Sequence, residues 1–127
     1  MIERVDPASL YHSPAFAQGS IAPSGRTLYV SGQNGVDARG AMASGVVAQV
    51  AQAIANVRAV LAAAGATPDD VVKLTIYLDQ RVTPREAYDA AVEAWGARRT
   101  AVTALLVAGL AVPGALVEIE AVASLPD

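Results

Sequence analysis

Two carboxylates share one face of the last apolar run of this 127-residue chain. In Leu116-Val117-Glu118-Ile119-Glu120-Ala121-Val122-Ala123, Val117, Ile119, Ala121 and Ala123 point one way, and Leu116, Glu118, Glu120 and Val122 the other. At about 3.3 Å per residue, Glu118 and Glu120 lie roughly 6–7 Å apart. A carboxylate among apolar neighbours can position a water or move a proton, and Glu118 is the candidate for that work. Glu120 is read as mostly structural, and as a glycosidase pair the two are unsupported, since nothing else marks a sugar cleft. A second apolar run begins at Ala101, and Gly109 to Gly114 separates the two. They read as two strands of a hairpin, with Val102 expected to face the carboxylates.

A second polar group closes an earlier strand, Ser31-Gly32-Gln33-Asn34-Gly35. Its residues tolerate positive φ and can offer polar groups to a cleft, or form a plain turn. His12 is the only histidine and there is no cysteine, so thiol chemistry, disulfides and zinc fingers are excluded and no metal site or cofactor is expected. His12, beside Tyr11 in an irregular lead-in, reads as a surface residue.

These groups need elements to hold them. Ala15–Ala22 and Thr27–Ser31 flank Pro23-Ser24-Gly25-Arg26, a hairpin signal. Ser44–Ala64 is the clearest helix: Val47, Val50, Ile54, Val57 and Leu61 form an apolar stripe, Ser44 can cap the start and Gly65 can end it. Thr67-Pro68-Asp69-Asp70 begins a short helical turn, and Val71–Leu78 alternates as a strand. Thr83-Pro84-Arg85-Glu86 reads as a capping box for a second helix to about Trp95, closed by Gly96, with Tyr88, Ala91 and Trp95 on its apolar side. Strand, strand, helix, strand, helix, strand, strand predicts one α+β domain over residues 1–127, with a mixed sheet and two main helices on one face. The other sheet face stays uncovered, and burial against copies of the same chain would place a ligand cleft between subunits.

Composition agrees with such a domain. Hydrophobic residues make up 54% and aromatics only 5%, so the core is built mostly of Ala and Val. A net charge of −3 gives no electrostatic case for nucleic acid, and an RNase role has no support. The start, MIERVDPASLYHSP, lacks a basic segment followed by an apolar stretch, and Ala104–Val112 falls far short of the ~20 residues that span a bilayer. A cytoplasmic protein with no membrane partner is expected.

Five segments together resemble one family. They are Ser31-Gly32-Gln33, Gln49–Leu61 (QVAQAIANVRAVL), Gly65, Asp70-Val71-Val72-Lys73-Leu74-Thr75 and Val117–Ala123, in order and over nearly the whole chain. In this the sequence resembles Rid/YjgF, the reactive intermediate deaminases formerly grouped with endoribonuclease L-PSP. The resemblance implies a homotrimer of chorismate-mutase-like subunits with small-molecule clefts between neighbours. It also implies metal-free, cofactor-free hydrolysis of 2-imino or enamino acids to 2-keto acids and ammonia.

In the family's deaminases an arginine early in the penultimate strand clamps the substrate carboxylate, and a glutamate on the last strand positions water. An aromatic near the N-terminus and the serine of the SGQ segment line the cleft. Here the glutamate falls on Glu118, the serine on Ser31 beside Gly32, and the aromatic on Phe16, where deaminases commonly have tyrosine. Tyr88 or Asp89 falls where a polar helix residue meets the cleft. Aligned without a gap from Val107-Ala108-Gly109-Leu110, the arginine position holds Val102. Matching Arg99-Thr100 instead needs three extra residues before Gly109, an odd insertion that inverts which face each strand residue occupies.

Valine offers neither donor nor charge, and losing a charged partner in a water-poor cleft costs about 2–5 kcal/mol of binding. Arg98 or Arg99 could swing in as a substitute, or could simply complement a helix C-terminus. Two function classes stay open: an imine deaminase using Glu118 and Ser31, and a non-catalytic metabolite-binding trimer or a hydrolase of a less acidic substrate.

Overall fold

The structure, a computed structural model, describes residues 1–126. Its main sheet holds β3 (Thr27–Gln33), β4 (Val71–Asp79), β5 (Ala101–Val107) and β6 (Val117–Ser124) in the spatial order β3-β6-β4-β5. β6 runs antiparallel to both its neighbours and β5 runs parallel to β4. The chain therefore crosses over twice, through α1 (Val46–Ala63) and through α2 (Pro84–Trp95). Two short strands, β1 (Glu3–Val5) and β2 (Gly19–Ile21), pair with each other.

The α+β architecture with two helices on one sheet face is as the patterning predicts, but both expected hairpins are absent. Strand β4 lies between β5 and β6, and β2 pairs with β1, in the supposed irregular lead-in, rather than with β3. Alternation specifies which face a strand buries and leaves its pairing partner open.

The core follows the two periodicities. Val50, Ala53, Ile54, Val57 and Leu61 of α1 are buried against Val117, Ile119, Ala121 and Ala123 of β6. Burying each large aliphatic side chain contributes about 1.5–3 kcal/mol. By length and composition α1 could cross a membrane, with 18 residues at a mean hydropathy of 1.5. Its apolar stripe instead supplies the core.

Helix ends differ in detail from expectation. Gly45, not Ser44, precedes α1, at φ 85° and without a side-chain cap. Gly65 does sit in the left-handed region, at φ 76°. The capping box forms at Thr67/Asp70, while Thr83 makes no side-chain cap. Carbonyls at the end of α2 are met by cations: the Arg58 guanidinium donates to Ala94 O (3.0 Å) and Trp95 O (3.2 Å), and Arg98 donates to Trp95 O. The Trp95 indole is buried and donates to Thr100 Oγ1 at 3.0 Å.

One buried polar side chain ties α1 to the entry of β6. Gln49 donates to Gly114 O (3.1 Å) and accepts from Leu116 N (2.8 Å). Gln49→Leu keeps the volume and leaves that backbone pair unmatched. It is expected to lower unfolding free energy by about 2 kcal/mol, read as a lower urea midpoint at fixed protein concentration.

Candidate functional site

The sequence-derived candidates fall into two groups on opposite faces of the sheet. Glu118, Ser31 and Gly32 belong to the uncovered face; Phe16, Tyr88 and Val102 border a cavity on the helix side.

On the uncovered face, β6 alternation turns Glu118 and Glu120 away from the helices, and β4 sets Tyr77 opposite Glu118 and Thr75 opposite Glu120. The pairing of β3 with β6 shifts between Val30 and Gln33, so Ser31 and Gly32 lie in a bulge. A Cβ on Gly32 would overlap the Glu118 carboxylate, so the missing side chain is what seats that group. Neither Gly32 nor Gly35 has positive φ; both are required for close approach, Gly35 against the Gln49 backbone.

The two carboxylates are held differently. Glu120 accepts the Tyr77 phenol at 2.6 Å. Glu118 receives one long contact of 3.4 Å from Asn34 Nδ2, whose firmer bond at 3.0 Å goes to Val117 O. Glu118 thus keeps acceptor capacity for a water or ligand, and Glu120 is engaged within the protein. Tyr77, Glu118, Glu120 and the Gly109–Ala111 segment line a shallow depression of about 270 Å³. Among the described residues no cluster of three or more His, Cys, Asp or Glu could hold a metal ion.

Val102 does not face the carboxylates. It pairs with Leu74, whose side chain is in the core, and so points to the helix side. Leu105 is the β5 residue in line with Glu118 through Tyr77, and Thr103 is in line with Glu120 through Thr75. Val102 instead borders a cavity of about 90 Å³ with Phe16, Tyr88, Val92, Trp95 and Ile119, where Arg98 and Thr100 are the polar residues. Tyr88 is 47% exposed, so Ala87 and Ala90 rather than Tyr88 form the buried side of α2 with Trp95. Asp89 pairs with Arg85 on the surface.

Neither neighbouring arginine is free. Arg98 Nε reaches Asp69 at 2.8 Å while its other end meets Trp95 O, the helix-end role. Arg99 departs from that role: it grips Asp6 with both terminal nitrogens (2.9 and 3.0 Å) and donates to Ser13 O and Phe16 O. Sequence reasoning missed Tyr77; it named Asn34 only within its polar segment and Arg99 only as a cleft or helix-end cation, not the partners they take. Strand parity could have found Tyr77; the reach of Asn34 and Arg99 across the fold left no local signal.

Two consequences can be measured. Gly32→Ala is relieved by swinging the Glu118 side chain, so a crystal structure should show that carboxylate displaced. Gly35→Ala meets the Gln49 Cα at 2.5 Å and has no such escape, so it should destabilise by about 1–3 kcal/mol in urea unfolding while Gly32→Ala loses less. The Tyr77 hydroxyl is held above the ordinary tyrosine value, first by its bond to Glu120, then by burial and the nearby carboxylates. A raised folded value means this contribution is whole below about pH 10 and lost as pH climbs through it. Alkaline difference spectra should show one of the four tyrosines ionising late, and Tyr77→Phe should remove that component.

The fold has known relatives. The family model described as Endoribonuclease L-PSP matches residues 7–125. The crystal structure of YyfB from Yersinia pestis, a protein of unknown function of the conserved Rid family, is similar at 35% identity. It has a TM-score of 0.86 over 98% of each chain. RidA from an Antarctic Psychrobacter is 30% identical over 94% of each chain, with a TM-score of 0.73. The Escherichia coli YjgF gene product is 31% identical over 88% of this chain and 92% of its own, with a TM-score of 0.66. No curated protein matches the sequence significantly. The chain belongs to the Rid/YjgF family, the endoribonuclease L-PSP family of older usage.

Proposed function

We propose that this chain acts as a cytoplasmic homotrimer that binds a small, carboxylate-free molecule in clefts between subunits. The observation that carries the reading is that, among the described residues, the arginines beside the cavity are engaged within the chain. Val102 stands at the family's arginine position, Arg98 is engaged by Asp69 and Trp95 O, and Arg99 by Asp6. A carboxylate entering there would lose its water without gaining a charged partner, a cost of several kcal/mol.

The assembly follows from how the candidates divide. Phe16, Tyr88 and Val102 form one half-site and Ser31, Gly32 and Glu118 another, on opposite faces. A head-to-tail interface that closes as a ring lets the first half of one subunit meet the second half of the next. Exposed Tyr29 and Leu105 on the uncovered face favour its burial against a copy. In the completed cleft Glu118 is the water-positioning or hydrogen-bonding group, Ser31 and Gly32 shape its surroundings, and Phe16, Tyr88 and Val102 hold the apolar part of the ligand. Neither a metal nor a cofactor has a role in this reading.

The test is keto-acid release from 2-aminoacrylate and from bulkier 2-imino acids generated in situ, using protein shown to be trimeric. Wild type is expected to add nothing to the uncatalysed rate, and a screen of neutral metabolites to yield ligands whose affinity falls in Glu118→Ala. A clear acceleration that disappears in Glu118→Ala would overturn the carboxylate-free reading and restore the imine deaminase. A monomer at micromolar concentration would overturn the intersubunit cleft.

A further inference from the structure

The N-terminal segment reaches the cavity through one side chain. Between β1 and β2, residues 6–18 run without a strand or helix, yet Ala15 and Phe16 form part of the cavity wall. Arg99 meets this segment at three places: Asp6 through both carboxylate oxygens, Ser13 O at 2.8 Å and Phe16 O at 2.9 Å. Its own carbonyl accepts from Ala17 N at 3.1 Å. Asp6 Oδ1 also accepts from Gln18 N at 3.0 Å, so both ends of the segment converge on one ion pair. Arg99 is rooted just before β5, three positions before Val102, which also lines the cavity.

We propose that Arg99 is a positioning residue for the cavity, fixing the backbone of residues 13–16 so that Phe16 closes the wall over Trp95 and Val102. A guanidinium suits this task and an ammonium does not. Its planar fork takes a carboxylate bidentately while the remaining donors meet two carbonyls, whereas lysine supplies a point charge. The inference bears on ligand selection only through the cleft reading above, but the wall itself can be measured without a ligand.

Trp95 is the only tryptophan and lines the same cavity, so its fluorescence reports the wall directly. Acrylamide quenching would be compared in full-length wild type, Phe16→Ala, Arg99→Lys and Asp6→Asn, each well below its melting temperature. The quenching constant is expected to rise severalfold in Phe16→Ala and by a similar factor in Arg99→Lys, which keeps the charge but not the fork. Asp6→Asn, which retains shape and one acceptor, should fall between. Wild-type quenching in Arg99→Lys alongside raised quenching in Phe16→Ala would overturn the proposal, as would an unchanged constant in Phe16→Ala. If Arg99→Lys does not fold, Asp6→Asn decides: a constant equal to wild type overturns the proposal. Failure to find any ligand would count against the cleft reading and leave the quenching result standing.

Discussion

The placement of β6 between β3 and β4 is the constraint on which the molecule depends. Hydrogen bonded along both edges, this strand cannot slide by one residue without turning Glu118 and Glu120 into the core and Ile119 and Ala121 out of it. Its two faces are thereby assigned together. One offers an apolar surface on which α1 lies, and the other a pair of carboxylates at fixed spacing. The bulge at Ser31-Gly32 in β3 and the Tyr77 phenol of β4 then adjust the two acids separately, so neighbours of the same type acquire different surroundings.

A core poor in aromatics leaves much of the remaining organisation to arginine. Arg58 and Arg98 close the end of α2 around Trp95, and Arg99 fastens the N-terminal segment. Each binds backbone carbonyls, a use suited to a group with several donors and a charge that never titrates in the physiological range. The same deployment explains why the cavity beside Val102 is apolar although three arginines lie nearby. Their charge is neutralised or turned toward peptide groups before any ligand arrives.

The legible features were those written in short-range periodicity. The stripe from Val50 to Leu61, the alternation of β4 and β6, and Gly65 and Gly96 after the helices correspond to observed geometry, whereas Val47, read as the first member of that stripe, is exposed. The pairing partners were not legible. Two apolar runs separated by a turn look alike whether they bond to each other or, like β5 and β6, to opposite edges of a third strand. Nor was the choice of cap. Thr67 and Thr83 are both followed by proline and an acid three residues on, yet only Thr67, with φ −127° and ψ 170°, presents its side chain to the helix. Which candidates would share a face followed from strand parity once β4 was known to intervene, and this is what moved Val102 away from Glu118.

The central strand is also the last of the described strands in sequence order. Until residues 117–124 arrive, β3 and β4 have nothing between them, and the sheet consists of a lone strand and a parallel pair. During synthesis the ribosome therefore withholds the one segment that joins the sheet, and the nascent chain carries unpaired strand edges and the bare apolar stripe of α1. The main sheet is accordingly completed late, when β6 joins β3 to the pair that β4 and β5 can already form. The protein's tolerance for loss is lopsided for the same reason: trimming residues 1–5 removes a peripheral ribbon, while a stop codon before Glu118 removes the middle of the sheet.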